Sequence, residues 1–102
     1  MNFKERQLII KKAFKRRTEL MFNKGREYSK GGQDVNFNFK DVGKRLKLSK
    51  EIVLMVYLEK AILSIEHAIC GGQLSSGETT ISRLDDARNY LDILESLLNE
   101  KN

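Results

Sequence analysis

The stretch KEIVLMVYLEKAILSIEHAI, residues 50–69, decides the fold. Its β-branched residues would suit a strand, but its length and its content of Leu, Met and Glu-Lys favour a helix. Ser49, directly before it, is a residue type that caps helix N-termini. Apolar side chains such as Val53, Val56 and Leu63 recur nearly all round this third helix. We therefore predict that it is the central, buried helix of the protein.

A fourth helix is predicted beyond the Gly- and Ser-rich segment GGQLSSGET, residues 71–79, in which Gly71 ends the third helix. It runs from about Thr80 to Leu98. Its apolar residues recur at helical spacing and predict the stripe that faces the core: Ile81, Leu84, Leu91, Leu94 and Leu98. Because a loop joins the two helices, we expect the third and fourth to pack as an antiparallel pair.

Two further helices precede this pair. The first covers about Phe3 to Lys24, where four apolar residues define one face: Phe3, Ile10, Phe14 and Met21. The second is short, from about Phe39 to Lys47, with Asn38 as its N-cap. Its apolar stripe consists of Phe39, Val42 and Leu46. Glycines predict that residues 25–36 form a loop between these two helices.

Length and composition fit one all-α domain over residues 1–102. No proline interrupts the helices. The single cysteine, Cys70, excludes an intramolecular disulfide, and with the single histidine, His67, it makes no zinc site, so we expect both to be structural. The prediction is a small helical bundle of three long helices and one short helix. Residues 37–98 form its helical core.

Neither a signal peptide nor a transmembrane segment is visible in the sequence. The most apolar run, from Ile52 to Leu58, is broken by Glu59 and Lys60. It is far shorter than the roughly 20 residues that a membrane span needs. We therefore expect a cytoplasmic protein without a membrane partner.

The charge is distributed unevenly along the chain. Residues 1–50 contain 15 Lys and Arg and 5 Asp and Glu, a net charge of +10, whereas residues 51–102 contain 4 and 9, a net charge of −5. The first helix, residues 1–24, is basic and amphipathic. Its candidate contacts to nucleic acid or to an acidic protein surface are Lys11, Lys12, Lys15, Arg16 and Arg17. The alternative is a solvated helix face.

Polar residues of the two C-terminal helices are the candidates for a ligand site. Asp85, Asn89 and Asp92 follow one another at helical spacing beside the apolar stripe of the fourth helix. Carboxylates of the third helix, Glu59 and Glu66, would meet them if the two helices pack together. Such a cluster suits Mg²⁺, which prefers oxygen ligands. The alternative is that these acids are solvated and balance the basic half.

Short motifs in the chain resemble a family of small phage and prophage proteins, the nucleotide-modification-associated domain. The resemblance covers about residues 24–98 and is carried by KGREY, NFNF, VYLEKAILSI and RLDDARNYL. It implies a role in phage nucleotide metabolism or DNA modification, and therefore a place in the host cytoplasm. The ligand-binding residues that it implies, together with Phe37 from the aromatic segment, are Lys24, Tyr28, Phe37, Lys60, Asp85, Asn89 and Tyr90.

A looser resemblance is to the all-helical nucleotide pyrophosphohydrolases of the MazG kind. Those enzymes hold Mg²⁺ with a Glu-Glu-x-x-Glu motif on one helix and Glu-x-x-Asp on the next. Here the first motif is missing, and the second appears only as Asp86 with Asn89. No nucleophilic triad can be assembled either. The sequence therefore favours a binding protein over an enzyme.

Three functions stay open at this point. The first is a phage-type protein that binds a nucleotide or a nucleotide derivative, in nucleotide metabolism or counter-defence. The second is an interaction or inhibitor protein that uses the basic first helix against nucleic acid or an acidic host protein. The third is a Mg²⁺-dependent pyrophosphohydrolase. Because the third helix is too apolar for a small monomer to cover, we also expect a homodimer.

Overall fold

The computed structural model describes residues 1–28, 36–75 and 77–100; the side chains of residues 21 and 23–28 are not described. Within these ranges the chain forms four α-helices and no strand, which confirms the predicted all-α class. The helices are α1 (Phe3–Tyr28), α2 (Phe37–Leu46), α3 (Lys50–Ile69) and α4 (Thr80–Asn99). The chain divides into two compact units, Met1–Val35 and Asn36–Asn102.

The first unit contains α1, which is longer than predicted. It continues through Gly25 to Tyr28, so the prediction that a loop begins at residue 25 was wrong. One glycine inside a helix costs only about 1 kcal/mol relative to alanine, which does not end a helix by itself. Residues 29–35 of the predicted loop lie outside the described residues.

In the second unit, α2 and α3 meet at a tight turn. α2 begins two residues earlier than predicted and is preceded by Asn36, not Asn38. At its other end Lys47 adopts a left-handed conformation, and the N–H of Leu48 donates to the carbonyl of Gly43 at 2.9 Å. A Cβ on Gly43 would lie 2.7 Å from the Leu48 carbonyl oxygen, so only glycine fits there. The predicted N-cap of α3 is confirmed, because Ser49 accepts a hydrogen bond from the Ile52 N–H at 3.1 Å.

The turn after α3 is a Schellman motif. The N–H of Gly71 donates to the Ala68 carbonyl and that of Gly72 to the His67 carbonyl, at 3.1 and 2.9 Å. Gly71 has the positive φ, 87°, that this motif requires. The His67 ring covers Gly72 so closely that a Cβ there would clash, and its Nε2 lies 3.2 Å from the Gln73 carbonyl oxygen. His67 is thus part of the turn, and Cys70 is an exposed free thiol beside it.

α3 and α4 pack closely as the predicted antiparallel pair, with α2 against the N-terminal half of α3. The register of α3 against α4 is defined by the residues that face each other. Leu54 and Leu97 are fully buried in one cluster, and the rings of Tyr57 and Tyr90 lie 6.1 Å apart, edge to face. Phe39 of α2 completes this cluster, with its ring 5.5 Å from that of Tyr57.

The predicted core stripe of α4 was wrong for three of its five residues. Ile81, Leu91 and Leu98 are 52, 54 and 67% exposed, whereas Leu94 packs against the core and Asp85, Asn89 and Leu97 are buried. The prediction that α3 is buried all round was also wrong, since Val56 and Leu63 are about half exposed. When two helices pack together, each buries only the face that meets the other. α3 and α4 have further apolar faces, and α2 is too short to cover all of them, so some of their apolar side chains stay exposed.

Candidate ligand groove between α3 and α4

A groove with a volume of about 400 Å³ runs between α3 and α4. Its lining comes from four residues of α3 and three of α4: Tyr57, Lys60, Ala61, Ser64, Arg83, Asp86 and Tyr90. The α3 residues lie at i, i+3, i+4 and i+7, and the α4 residues at i, i+3 and i+7, so each set shares one helix face. Ala61, the smallest side chain among them, is buried and leaves room for the groove between its larger neighbours.

Arg83 is the best-fixed cation of the groove. Its Nη1 donates to Oδ2 of Asp86 at 3.4 Å, and its Nε lies 3.9 Å from Oε2 of Glu78. Glu78 is itself held, because its carboxylate accepts a hydrogen bond from Ser82 at 2.8 Å. Ser82 also closes the capping box with Thr79 that begins α4. The N-terminal turn of α4 thus holds the guanidinium in one place.

Lys60 differs from Arg83 because, within the part of the chain that the structure describes, no carboxylate lies within ion-pair distance of it. It is exposed, on the α3 side of the groove. Asp86 and Glu78 both lie beside Arg83, so these two carboxylates balance the two positive charges of the lining, and Lys60 is the cation that lies away from them. The arrangement suits an anion that is held by a fixed guanidinium on one side and a mobile ammonium on the other.

The sequence-predicted site residues divide into three groups. Lys60 and Tyr90 line the groove. Asp85, Asn89 and Phe37 do not: the first two are buried elsewhere on α4, and Phe37 is 42% exposed at the start of α2. The side chains of Lys24 and Tyr28 lie outside the described residues.

Buried Asp85 and Asn89 have different surroundings. Asp85 accepts a hydrogen bond from Nη1 of Arg88 at 3.0 Å. Oδ1 of Asn89 is buried and finds no hydrogen-bond partner among the described residues. These two residues were predicted to face a ligand, and their roles in binding stay a prediction.

The groove residues that were not among the predicted ligand-binding residues are Tyr57, Ala61, Ser64, Arg83 and Asp86. A signal was present, because Tyr57, Lys60 and Ser64 on α3 and Arg83, Asp86 and Tyr90 on α4 repeat at the spacing of one helix face. It could be used only once the buried face of α4 was known.

The acidic residues do not fit a Mg²⁺ site. Among the described residues, no three His, Cys, Asp or Glu side chains come close enough to hold a metal ion. Asp86, which lines the groove, and its sequence neighbour Asp85 are each paired with an arginine. A carboxylate in such a pair already has its charge compensated by a cation, which opposes binding of a second one.

The basic side chains of α1 belong to the other unit. Lys11, Lys12, Lys15 and Arg16 are exposed, and Arg17 is half-buried with its guanidinium 5.7 Å from the centre of the Phe14 ring. Of the predicted apolar face, Phe3, Ile10 and Phe14 are 65, 56 and 63% exposed, and the side chain of Met21 lies outside the described residues. α1 therefore presents apolar and basic side chains together.

Comparisons with protein-family models, with curated proteins and with solved structures gave no match to this chain. The resemblance to the phage family therefore rests on the short motifs alone. Of the described helices, none is long and apolar enough to cross a membrane.

Proposed function

We propose that the groove between α3 and α4 binds a nucleotide or a nucleotide derivative through its phosphate. The observation that carries this proposal is the meeting of two cations, Lys60 and Arg83, with two tyrosines, Tyr57 and Tyr90, in one groove. The family resemblance adds the setting, which is phage nucleotide metabolism or counter-defence.

Each groove residue has a role in this proposal. Arg83 and Lys60 hold phosphate oxygens, the first by hydrogen bonds in a fixed direction and the second as a mobile charge. The ring of Tyr57 or Tyr90 packs against the base or the sugar, and Ser64 offers a hydroxyl. A volume of about 400 Å³ lies within the range of small-ligand pockets.

The proposal is one of binding and assigns no catalytic residue. Hydrolysis of a pyrophosphate bond in the MazG manner needs clustered carboxylates for Mg²⁺, and the acids near the groove are paired with arginines instead. We therefore expect ligand binding to be independent of Mg²⁺.

A thermal-shift panel of nucleoside mono- and triphosphates and cyclic dinucleotides, with and without Mg²⁺, tests the proposal. A ligand at 100 times its Kd raises the free energy of unfolding by about 2.7 kcal/mol, which shifts Tm clearly for a protein of this size. Lys60→Ala should abolish the shift, and Lys44→Ala, at an exposed lysine of α2, should keep it. No shift with any member of the panel, or equal shifts in both variants, would refute the proposal.

A second candidate function follows from the exposed lysines of α1. We propose that Lys11, Lys12 and Lys15 contact a polyanion, either nucleic acid or an acidic host protein surface. The affinity of such contacts falls steeply with salt because counterions are released. Replacing the three lysines by glutamine should weaken binding to duplex DNA or RNA and reduce its salt dependence. If the wild-type protein binds neither, and no acidic protein in a salt-dependent manner, the basic face is only solvated.

A further inference from the structure

Two lines of apolar side chains stand exposed on the α3–α4 pair. On α3 they are Met55, Ile62 and Ile69, which are 43, 38 and 74% exposed. On α4 they are Leu84, half-buried, and Leu91 and Leu98, 54 and 67% exposed. Within each line the residues are seven apart, the spacing at which helices pack along a continuous seam. We call these six residues the heptad face.

Both lines lie on the same side of the helix pair. The members directly follow residues on the side of each helix that faces the other, namely Leu54 and Ala61 on α3 and Arg83, Tyr90 and Leu97 on α4. Ile69 shares the line of Met55 and Ile62 by its seven-residue spacing. Each line is therefore turned by about 100° from the contact between the helices, in the same rotational sense. In an antiparallel pair the same rotation about each helix leads to the same side. The heptad face is thus one surface and not two.

The size of this surface matches an interface. α3 and α4 each have 20 residues. Such helices are about 30 Å long, and two of them side by side are about 20 Å wide, so the face covers on the order of 600 Å² before side-chain relief is counted. A standard interface buries about 800 Å² of accessible surface on each partner. Two copies would bury on the order of 1,200 Å² together, at the lower end of the range for specific interfaces. The largest apolar patch on a monomer is often a functional surface.

Charged residues line the rim of the heptad face on both helices: Glu59 and Glu66 at the outer edge of the α3 line, and Arg88 and Glu95 at the outer edge of the α4 line. Arg88 donates to the buried carboxylate of Asp85 at 3.0 Å and has 42% of its side chain exposed. Residues 57 and 90 face each other across the pair, so Glu59 and Arg88 lie at nearly the same height. In a dimer whose two-fold axis runs parallel to the helices, α3 of one copy covers α4 of the other. Glu59 of each copy then faces Arg88 of the other.

We infer that the heptad face is covered by the same face of a second copy of this chain, which forms a four-helix bundle from two antiparallel pairs. The seven-residue spacing supplies the seam, the area buried by two copies reaches the lower end of standard interfaces, and Glu59 of each copy faces Arg88 of the other under the two-fold axis. The groove residues lie on other faces of α3 and α4, so dimerisation and ligand binding are separate properties.

Sedimentation equilibrium of the full chain, from micromolar to sub-millimolar concentration, tests this inference. The wild type should be a dimer. The Ile62→Glu variant should be a monomer, because dimerisation would bury the introduced carboxylate of each copy in an apolar seam. The matched control is Val56→Glu, since Val56 is 48% exposed on another side of α3. It should stay a dimer. Equal helicity of all three proteins by circular dichroism establishes that the variants are folded.

Two results would overturn the inference: a wild type that is monomeric throughout the range, or Val56→Glu and Ile62→Glu proteins that dissociate alike. The rim is tested separately by Glu59→Lys, which should raise the dimer dissociation constant about two- to fivefold at low salt and less at high salt. An unchanged dissociation constant would contradict the arrangement of α3 over α4 of the partner copy. Nucleotide binding by the Ile62→Glu monomer reports on the groove independently.

Discussion

The two faces of α4 reverse the usual distribution of residue types on an amphipathic helix. Its buried side includes Asp85 and Asn89 beside Leu97, while Leu91 and Leu98 on its other side are more than half exposed. Both faces are regular in sequence. The comparison teaches that periodicity finds the faces of a helix, but the neighbouring helix decides which face is buried in the monomer.

The contacts between α3 and α4 explain why this face of α4 is the buried one. Leu97 enters the cluster of Leu54 and Phe39, and Tyr90 meets the edge of Tyr57. Aromatic edge-to-face pairs of this kind add about 0.5–1.5 kcal/mol to the gain from burial alone. The buried carboxylate of Asp85 is compensated by its charge-assisted hydrogen bond from Arg88.

Two adjacent leucines give the sharpest test of this comparison. Leu97 is fully buried and Leu98 is 67% exposed. Leu97→Ala should lower the free energy of unfolding by about 2–5 kcal/mol, because it leaves a cavity in the core. Leu98→Ala should change it by no more than about 0.5 kcal/mol when measured at a concentration where the protein is monomeric. Urea denaturation of both variants measures the difference.

Similar losses in the two variants under monomeric conditions would contradict the burial of only one face of α4. A loss for Leu98→Ala that appears only at high protein concentration would instead locate its contribution in the dimer, because association adds to apparent stability by mass action.

A smaller effect is expected at Asn89, on the polar part of the buried side. Its Oδ1 has no hydrogen-bond partner among the described residues, and such a buried group costs about 1–3 kcal/mol. Asn89→Leu, which is close in size and removes the polar atoms, should therefore keep or raise the stability, by up to about 1–3 kcal/mol. Asn89→Asp is the matched control and should lower it, because a charge is buried. Thermal unfolding at neutral pH distinguishes the two. Destabilisation by leucine would show that this amide makes a favourable contact.

Much of the fold could be predicted from local signals. Ser49 fixed the start of the third helix and Gly71 its end, because caps depend on neighbours in sequence. Gly25 misled the prediction, since one glycine is tolerated within a long helix. The buried face of α4 could not be predicted, because both of its faces are periodic and the choice depends on residues of α3 that are distant in sequence.

The candidate site was predicted only in part, because its α4 residues also depend on which face of α4 is buried. Lys60 and Tyr90, two of the predicted ligand-binding residues, line the groove, whereas Arg83 was not among the predicted residues. Their role in binding stays a prediction. Asp85 and Asn89 were singled out because they form a regular polar stripe. Asp85 and Asn89 are buried, and the α4 residues that line the groove are Arg83, Asp86 and Tyr90.

The smallest effect concerns the first turn of α4, which both faces share. Thr79 accepts a hydrogen bond from the Ser82 N–H at 3.0 Å, and Ser82 accepts one from the Thr79 N–H at 2.9 Å. Thr79→Ala should lower the free energy of unfolding by about 1 kcal/mol, the usual value of an N-cap, and Thr80→Ala, one residue into the helix, should lower it less.

Loss of the cap should also weaken nucleotide binding in the groove, because Ser82 holds Glu78, which in turn lies beside Arg83. The heptad face begins a turn later, at Leu84, so the dimer dissociation constant should stay unchanged. Denaturation, nucleotide titration and sedimentation of the two threonine variants measure the three quantities. An equal loss of association and of ligand affinity in Thr79→Ala would mean that the two faces of α4 do not act independently.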